Sequence, residues 1–342
     1  MVATRVFFLG ATGYVGGPIA SRLVDRGFQL TALVRKDDSR AAALRQRGVH
    51  TVVGTLDSVE LIKEQAESSD AVFTAAANSH MGSVEAVLAG FKAKKEKTGA
   101  EGILIHTSGT GIFATGDKRG LAPGPESKVY SDEDIAAIEA LGDTHPQRKV
   151  HIRIIDAAEK GYVRSYIVLP STIFGISSLS GVSTIFNKHS MQIPLLIRGS
   201  LRKKQAGLVG EYKCTWPLVH TDDLTALYEA IFDAALKKED AGNNRQGFYA
   251  AENGQYVGFE VAKKVGEALQ KRGLAPTAEP EPFTDEELTE TYGAYANFVG
   301  TNSQARGERS RRLGWKPKYD HASLLASIDN EVQTIYEEEF QE

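Results

Sequence analysis

The sequence predicts an α/β protein built on a doubly wound parallel sheet, with helices on both faces and a smaller C-terminal lobe. Two observations support this fold class. Short apolar runs alternate with amphipathic stretches through the first half of the chain, a pattern typical of strands and helices that wind a parallel sheet. The first apolar run, at 6–9, is followed at once by a glycine-rich turn and a helical pattern, which is how such a sheet begins.

The predicted elements follow one another in β-α order. We expect strands at 6–9, 30–35, 51–53, 70–75, 102–106 and 165–169, and helices at about 14–26, 41–47, 58–67, 83–97 and 145–160. From 177 to 216 the chain is rich in Ser, Gly and basic residues, so we expect an irregular excursion that covers a ligand rather than sheet. A helix ending near Lys237 and a strand at 247–250 return the chain to the core.

Composition limits the classes of partner. The 342 residues are 42% hydrophobic, which is ample for a substantial core. The 40 basic and 44 acidic residues give a net charge of -4 without a large basic block, so no nucleic-acid partner is expected. The apolar run at 6–9 is too short to span a membrane, and no membrane partner is expected. A single cysteine, Cys214, and no secretory leader favour a cytoplasmic location.

The glycine-rich turn predicts a dinucleotide site. Gly10 permits a tight turn, Gly13 lets the backbone approach a diphosphate, and Gly16 lets the helix pack close to the strand. The diphosphate would lie at the helix N-terminus, where N–H groups and the helix dipole favour negative charge. We therefore expect NAD(H) or NADP(H) on a Rossmann-type domain at 1–175, completed by 218–250. The segments 176–217 and 251–342 are expected to form the substrate-binding lobe.

The end of the second strand predicts which dinucleotide is preferred. An acid there would hold the adenosine ribose hydroxyl of NAD(H), whereas an arginine would accept the 2′-phosphate of NADP(H). The chain has Arg35 and Lys36 at this place, which favours NADP(H). Asp37 and Asp38 follow immediately and leave NAD(H) open.

Five separated segments share a family pattern. They are Gly10–Gly16, Ala75–Ala77, Thr107–Ser108, the proline-led turn at Pro170–Gly175, and 218–224 with its His220 and Asp222. Across residues 4–265 the chain resembles the extended or atypical short-chain dehydrogenases/reductases of the NAD(P)-dependent epimerase/dehydratase kind. The resemblance implies cofactor contacts from Gly10, Thr12, Gly13, Tyr14, Val15, Gly16, Arg35, Lys36, Leu56, Ala75, Ala76, Ala77, Thr107, Lys149, Pro170, Ser171, Thr172 and Ile173.

The chain departs from the family at the catalytic pair. The family uses Tyr-x-x-x-Lys on the helix after strand five, but none of the 12 tyrosines here has a lysine four residues later. Lys149 lies 21 residues before Pro170, close to the interval of the extended family, and His145 precedes it by four. His145 and Lys149 are therefore candidates for proton transfer, since histidine exchanges protons near neutral pH. The alternative is that both are ordinary polar residues on an exposed first turn.

Ser108 is the candidate for a hydrogen bond to a substrate oxygen, because the carboxyl ends of parallel strands face the ligand crevice. Thr107 and Thr110 are alternatives, and a serine bonded to the backbone is another. His106 is interpreted as a core histidine and His220 as a structural residue. No metal is expected, because the histidines include no His-x-x-x-His pair and one cysteine cannot form a thiolate site.

The predicted lobe offers two conflicting hints about the small-molecule substrate. Four cations, Arg198, Arg202, Lys203 and Lys204, would suit a substrate diphosphate or lie on a solvated face. The aromatic and aliphatic residues Trp216, Phe174, Ile176 and Phe186 would instead line an apolar pocket or belong to the core. The segment 213–217 lacks the arginine of many sugar-nucleotide enzymes, so we favour a non-sugar carbonyl or hydroxyl compound.

Three functions remain open from the sequence. The first is an NADP(H)-dependent oxidoreductase acting on a carbonyl or secondary alcohol. The second is an epimerase, isomerase or dehydratase that retains its cofactor. The third is a non-catalytic NAD(P)-sensing regulator, which the missing Tyr-x-x-x-Lys would allow. A monomer or a homodimer is expected.

Overall fold

The computed structural model describes residues 4–125, 127–143, 145–179, 185–239 and 241–341. Its strands are β1 (Arg5–Leu9), β2 (Gln29–Val34), β3 (His50–Val53), β4 (Ala71–Thr74), β5 (Gly102–Thr107), β6 (Tyr130–Ser131), β7 (Val163–Pro170), β8 (Thr172–Phe174), β9 (Gly207–Leu208), β10 (Thr215–His220), β11 (Phe248–Ala251), β12 (Gln255–Val257), β13 (Glu281–Pro282) and β14 (Ala305–Arg306).

The helices are α1 (Gly16–Asp25), α2 (Ser39–Gln46), α3 (Val59–Ser68), α4 (Met81–Thr98), α5 (Ile135–Glu139), α6 (Pro146–Glu159), α7 (Gln192–Lys203), α8 (Thr221–Lys237), α9 (Gly258–Lys271), α10 (Asp285–Tyr292), α11 (Glu308–Arg312) and α12 (His321–Glu339). Among the described helices, none combines the length and apolar character that a membrane span requires.

Seven parallel strands form the central sheet in the order β3-β2-β1-β4-β5-β7-β11. The strand order reverses between β1 and β4, and in open α/β sheets such a reversal opens a crevice at the carboxyl ends of the strands. All seven strands correspond to the runs predicted from the sequence, so the expected doubly wound α/β fold is confirmed.

Three apolar clusters fill the molecule. Residues of α1, α2 and α8 cover one face of the sheet, with Ile19, Leu44 and Phe232 buried there. Residues of α3, α4 and α6 cover the other face. A third cluster joins α7, α9 and α12 to β10 beside the sheet. The sheet is thus shielded on both faces, and ligands can reach it at its strand ends.

The expected irregular excursion from 177 to 216 is wrong in part. Residues Gln192–Lys203 form α7, which buries Ile193, Leu196 and Ile197 at helical spacing in the third cluster. Residues Thr215–His220 form β10, which pairs with β8 and β12 in a separate three-stranded sheet. Pro194 and Gly199 weaken the helical signal in the sequence, whereas burial of one apolar face stabilises the helix in the fold.

Candidate cofactor and catalytic site

The glycine loop between β1 and α1 is packed so tightly that side chains would not fit. Gly10 has φ +97, and a Cβ there would lie 2.7 Å from the carbonyl carbon of Ala75. A Cβ at Gly16 would lie 2.2 Å from the carbonyl oxygen of Gly10. The loop is closed by a hydrogen bond from Gly13 N to Gly10 O at 2.9 Å. This narrow cradle at the start of α1 fits the diphosphate of a dinucleotide.

Other residues of the loop attach it to a neighbouring segment. The Tyr14 hydroxyl donates a hydrogen bond to Gly175 O at 2.6 Å, which joins the loop to the turn after β8. The backbone N–H of Asn187 donates to Thr12 O at 3.1 Å. Val15 is half-buried and packs against the first apolar cluster. The glycine loop is therefore held in place from the side opposite to β4.

The cations after β2 are available to a ligand. Arg35 and Lys36 are both exposed, and neither has an ion pair or hydrogen bond in the described part of the chain. The two acids beside them are engaged elsewhere. Asp37 pairs with Arg45 at 2.7 Å, and Asp38 caps α2 by accepting from the backbone N–H groups of residues 40 and 41. Positive charge therefore dominates the end of β2.

The remaining expected contacts from β3 and β4 lie along the same sheet edge. Leu56 follows β3, is half-buried, and packs against the cluster beneath α3 and α4. Ala75 N donates to Leu9 O at 2.8 Å, so the end of β4 lies directly beside β1 and the glycine loop. Ala76 and Ala77 follow and are exposed. Small side chains there leave room above the crevice.

In the proline-led turn the two side-chain hydroxyls form hydrogen bonds within the protein, so the turn offers its backbone to a ligand. Ser171 Oγ donates to Ala251 O at 2.7 Å. Thr172 Oγ1 donates to Gln192 Oε1 at 2.8 Å and lies 3.1 Å from the Tyr256 hydroxyl. Pro170 ends β7 beside Ala251 of β11 and is buried, whereas Ile173 is half-buried. Of these side chains, Ile173 can offer apolar surface to a ligand.

Ser108 is the first residue after β5 and is buried. Its backbone N–H donates to Val168 O at 2.8 Å, which fixes it beside β7. Its Oγ lies 2.7 Å from Nε2 of His151, a fully buried side chain of α6. Nδ1 of His151 lies 3.5 Å from Nη1 of Arg148, one turn earlier on α6. Ser108, His151 and Arg148 thus form a buried polar row from the strand end into the interior.

Burial of the ring favours a neutral His151. It holds the pKa of His151 well below its usual range, and electrostatic effects of His106, Arg148 and His145 lower this pKa further. The guanidinium of Arg148 is only 2% exposed and lies 6.0 Å from the centre of the Phe248 ring. Burial also lowers the pKa of Arg148, although Glu139 opposes this effect.

His145 and Lys149 are not brought together. His145 precedes α6 as its N-cap residue and is half-buried, and burial lowers the pKa of its imidazole. Lys149 points to solvent and has no partner in the described part of the chain. His145 lies before the helix with extended backbone angles, so it does not share a helical turn with Lys149. A role of the two residues in proton transfer stays a prediction.

The sequence prediction missed His151. It stands with Ile154, Ile155 and Ala158 on a buried face of α6, at helical spacing. A polar residue within an otherwise apolar helical stripe, opposite the end of β5, was the available signal.

Two side chains next to Ser108 are hydrogen-bonded within the core. Nδ1 of His106 lies 2.7 Å from Thr74 Oγ1, and burial lowers the pKa of His106 to about 4. Thr107 Oγ1 lies 2.6 Å from the Tyr228 hydroxyl on α8. Thr110 accepts from Ser303 Oγ at 2.8 Å through its backbone carbonyl, whereas its buried hydroxyl has no hydrogen-bond partner among the described residues. Ser108 differs from these three residues in its hydrogen bond to α6.

His220 has a structural position. Its Nδ1 accepts from the backbone N–H of Asp222 at 3.2 Å and so caps α8, and its ring stacks on Tyr319 at 3.9 Å. A Cβ at Gly175, where φ is +83, would lie 2.2 Å from Nε2 of His220. Asp222 in turn accepts from Ser177 Oγ at 2.8 Å. These contacts lock the turn after β8 against the start of α8.

The lobe cations are paired. On α7, Arg198 contacts Glu339 at 2.8 Å, Arg202 contacts Glu290 at 3.6 Å and Lys203 contacts Glu287 at 3.0 Å. Lys204 ends the helix with φ 57. Three of the four cations expected as diphosphate ligands therefore hold α7 to the C-terminal helices α10 and α12.

The four expected pocket residues do not line one pocket. Phe186 packs against Gly17 in the first cluster, and Phe174 packs edge-on against His220 at 5.2 Å. Ile176 is half-buried. Trp216 donates from Nε1 to Thr301 O at 2.6 Å and lines a small cavity with Tyr212, Cys214 and Tyr256. The aromatic surface lies mostly within the packed core.

Comparison with known proteins places this site in a family. A family model described as NAD(P)H-binding matches residues 10–206. The chain belongs to the NAD(P)H-binding family. The match begins at the first glycine of the loop and runs through α6 and the proline-led turn to the end of α7.

Proteins similar to this chain in sequence or in fold carry names of different activities. The chain is 29% identical to the oxidase ucsJ of an Acremonium species, with 92% of each chain covered. Over 73 residues it is 38% identical to the 4-hydroxy-2-methyl-3-oxo-4-farnesyl-3,4-dihydroquinoline-1-oxide ketoreductase of Stigmatella aurantiaca. This match covers 21% of this chain and 22% of that protein. A UDP-glucose 4-epimerase of Thermotoga maritima superposes with a TM-score of 0.66 at 13% identity, over 98% and 99% of the chains. The chain shares the fold of this epimerase, and the family model confirms the expected NAD(P)H-binding family.

Proposed function

We propose that this protein is an NADP(H)-dependent oxidoreductase that moves hydride between nicotinamide and a carbonyl or secondary alcohol of a small, non-sugar substrate. The observation that carries the proposal is the buried hydroxyl of Ser108, held at 2.7 Å by His151 at the carboxyl end of β5. That position lies at the same sheet edge as the glycine loop, where a substrate oxygen would meet the nicotinamide.

The cofactor preference is supported by the end of β2. Arg35 and Lys36 are exposed, and neither has an ion pair in the described part of the chain, whereas Asp37 and Asp38 are engaged with α2. A 2′-phosphate would meet uncompensated positive charge here. The named relatives, an oxidase and a ketoreductase, are in keeping with net redox chemistry.

The substrate class is supported by the lobe. The UDP-glucose of the similar epimerase structure carries a diphosphate, which needs cations. In this chain Arg198, Arg202 and Lys203 are already paired with glutamates. A substrate without a diphosphate fits this arrangement better.

The residues of the glycine loop and the cations after β2 would hold the cofactor, which would supply the hydride for the carbonyl carbon when bound. Ser108 would donate a hydrogen bond to the negative charge that grows on the carbonyl oxygen as the π electron pair moves onto it. A solvent water would protonate this oxygen to complete the alcohol, and the hydroxide left behind would be neutralised by the buffer.

The test follows NADPH absorbance with a panel of small ketones and aldehydes, for the wild type and Ser108→Ala. Loss of one hydrogen-bond donor to the oxyanion is expected to lower kcat by about 100-fold or more, while the Kd of NADPH changes by less than about threefold. Ser68→Ala, at the far end of α3, is the matched control. Tight NADPH binding without turnover of any compound would instead support the sensing regulator. Cofactor that copurifies and is not consumed would support the epimerase or dehydratase.

A further inference from the structure

We propose that Arg148, His151 and Ser108 form a one-way chain of hydrogen-bond donors that ends at the substrate oxygen. We call this arrangement the donor chain: Ser108 is its catalytic residue, and His151 and Arg148 are positioning residues. The inference deepens the proposed function and rests on it for the substrate that Ser108 meets. In place of the missing tyrosine hydroxyl, Ser108 would donate to the substrate oxygen, and the buried Arg148 would polarise Ser108 through the neutral His151.

The direction of the chain follows from the chemistry of arginine. A guanidinium has five N–H donors and no acceptor, so Nδ1 of His151, 3.5 Å from Nη1 of Arg148, must accept. A neutral imidazole that accepts at Nδ1 carries its proton on Nε2. That nitrogen lies 2.7 Å from Ser108 Oγ and therefore donates to it. Ser108 then keeps its own O–H for an acceptor outside the protein.

The environment of His151 favours this state from every side. His106 of β5 faces the ring at 6.2 Å between centroids, and Phe248 of β11 faces it at 5.6 Å. On α6, Arg148 and His145 are its charged or titratable neighbours. No carboxylate acts on His151 among the described residues, so nothing there stabilises an imidazolium.

The buried charge of Arg148 is unusual. Its Nε has no hydrogen-bond partner, and Arg148 has no ion pair in the described part of the chain, although it is only 2% exposed. Glu139, which acts on it electrostatically, pairs instead with Arg245 at 3.2 Å. A buried cation without an ion-pair partner is costly, and such costs are typical of functional sites. The hydrogen bond from Arg148 to Nδ1 polarises His151 towards Ser108.

The donor chain stabilises one charge distribution. Its last member, Ser108, is a donor polarised by the two others, which stabilises negative charge on the substrate oxygen in the transition state. Reduction and oxidation share this transition state, so the donor chain accelerates both, and the ratio of reduced to oxidised cofactor sets the net direction.

The first experiment does not need turnover. Two-dimensional ¹H–¹⁵N spectra of ¹⁵N-histidine-labelled protein report the tautomer of each imidazole, and the signal lost in His151→Gln identifies His151. We expect the neutral Nε2–H tautomer throughout about pH 5.5 to 8.5. An Nδ1–H tautomer, or protonation with a midpoint near the ordinary value of about 6.5, would overturn the proposal.

The second experiment separates positioning from packing. His151→Gln retains an N–H donor, whereas His151→Leu removes it at similar volume. We expect His151→Leu to lower kcat about 10- to 100-fold, with KM and the Kd of NADPH within about threefold. The glutamine variant should recover most of the rate, and Arg148→Met should lower kcat about tenfold. Equal loss in the glutamine and leucine variants, or no loss in either, would contradict the chain.

Failure of the proposed function would look different. In that case the wild type would reduce no carbonyl compound, while the ¹⁵N tautomer of His151 would still decide whether the donor chain exists. Circular dichroism melting of each variant identifies any that fail to fold. If the His151 variants do not fold, the ring signal of His151 is assigned in the wild type through its bonded backbone resonances, and the tautomer remains decisive.

Discussion

Arg35→Ala is expected to weaken NADPH binding selectively. Arg35 is exposed at the carboxyl end of β2 and has no ion pair in the described part of the chain, so its removal frees no buried partner. A charge-assisted hydrogen bond contributes about 1.5–3 kcal/mol, and exposure to water favours the lower end of this range. Since 1.4 kcal/mol is about tenfold in Kd, NADPH should bind about tenfold more weakly. NADH, which lacks the phosphate, should change by less than about twofold.

Isothermal titration of both cofactors, at one fixed low salt concentration, measures this difference. Lys36→Ala should act in the same direction, and the double variant should lose most of the preference. Lys160→Ala removes an exposed cation at the other end of α6 and should leave both affinities unchanged. An equal loss for NADPH and NADH in Arg35→Ala would refute the assignment of the phosphate site.

Two further predictions concern the buried histidines and the lobe. Because burial lowers the pKa of His106 to about 4, this group stabilises the fold above its unfolded pKa and the contribution is lost as pH falls. The free energy of unfolding, measured with urea, should fall as the pH is lowered from about 6.5 to about 4. His106 alone contributes up to about 1.4 kcal/mol per pH unit to this fall. In His106→Asn the unfolding free energy should fall less steeply with decreasing pH. An unchanged pH dependence would contradict the effect assigned to His106. His50→Asn, at an exposed histidine, is the control. Arg198→Ala and Lys203→Ala should leave the substrate KM within about twofold, because both cations are paired with glutamates, and a tenfold rise would show that they bind substrate.

The sequence was most informative where backbone geometry dictates residue type. Gly10 needs a positive φ and a close approach to Ala75, and Gly16 needs contact with the carbonyl of Gly10. Only glycine satisfies both, so the loop could be recognised from its spacing and position after an apolar strand. The inner strands of the sheet were predicted from composition, since strands buried on both faces are continuous apolar runs. The edge strand β3 is exposed or half-buried along its length.

The lobe was less predictable because tertiary contacts decide its structure. Helix α7 contains Pro194 and Gly199, which lower its intrinsic helical tendency, and it is stabilised by burial against α9, α10 and α12. Its cations looked free in the sequence. Their partners, Glu287, Glu290 and Glu339, lie more than 80 residues later in the chain.

The polar row was missed because its members are distant in sequence. Ser108 and His151 are separated by 43 residues and meet only when α6 packs beside β5. Counting back from Pro170 pointed to His145, the N-cap residue of α6, and to Lys149 on its first turn. The buried side of that turn belongs to Arg148 and His151, and a helix start shifted by the capping position of His145 explains the difference.

The central claim is that the loop at 10–16 and the cations after β2 form an NADP(H) site. Measuring the Kd of NADPH and of NADH for the wild-type protein tests it most directly. The structure predicts that NADPH binds at least about tenfold more tightly, from one charge-assisted contact to the 2′-phosphate. Equal or tighter binding of NADH would contradict the claim.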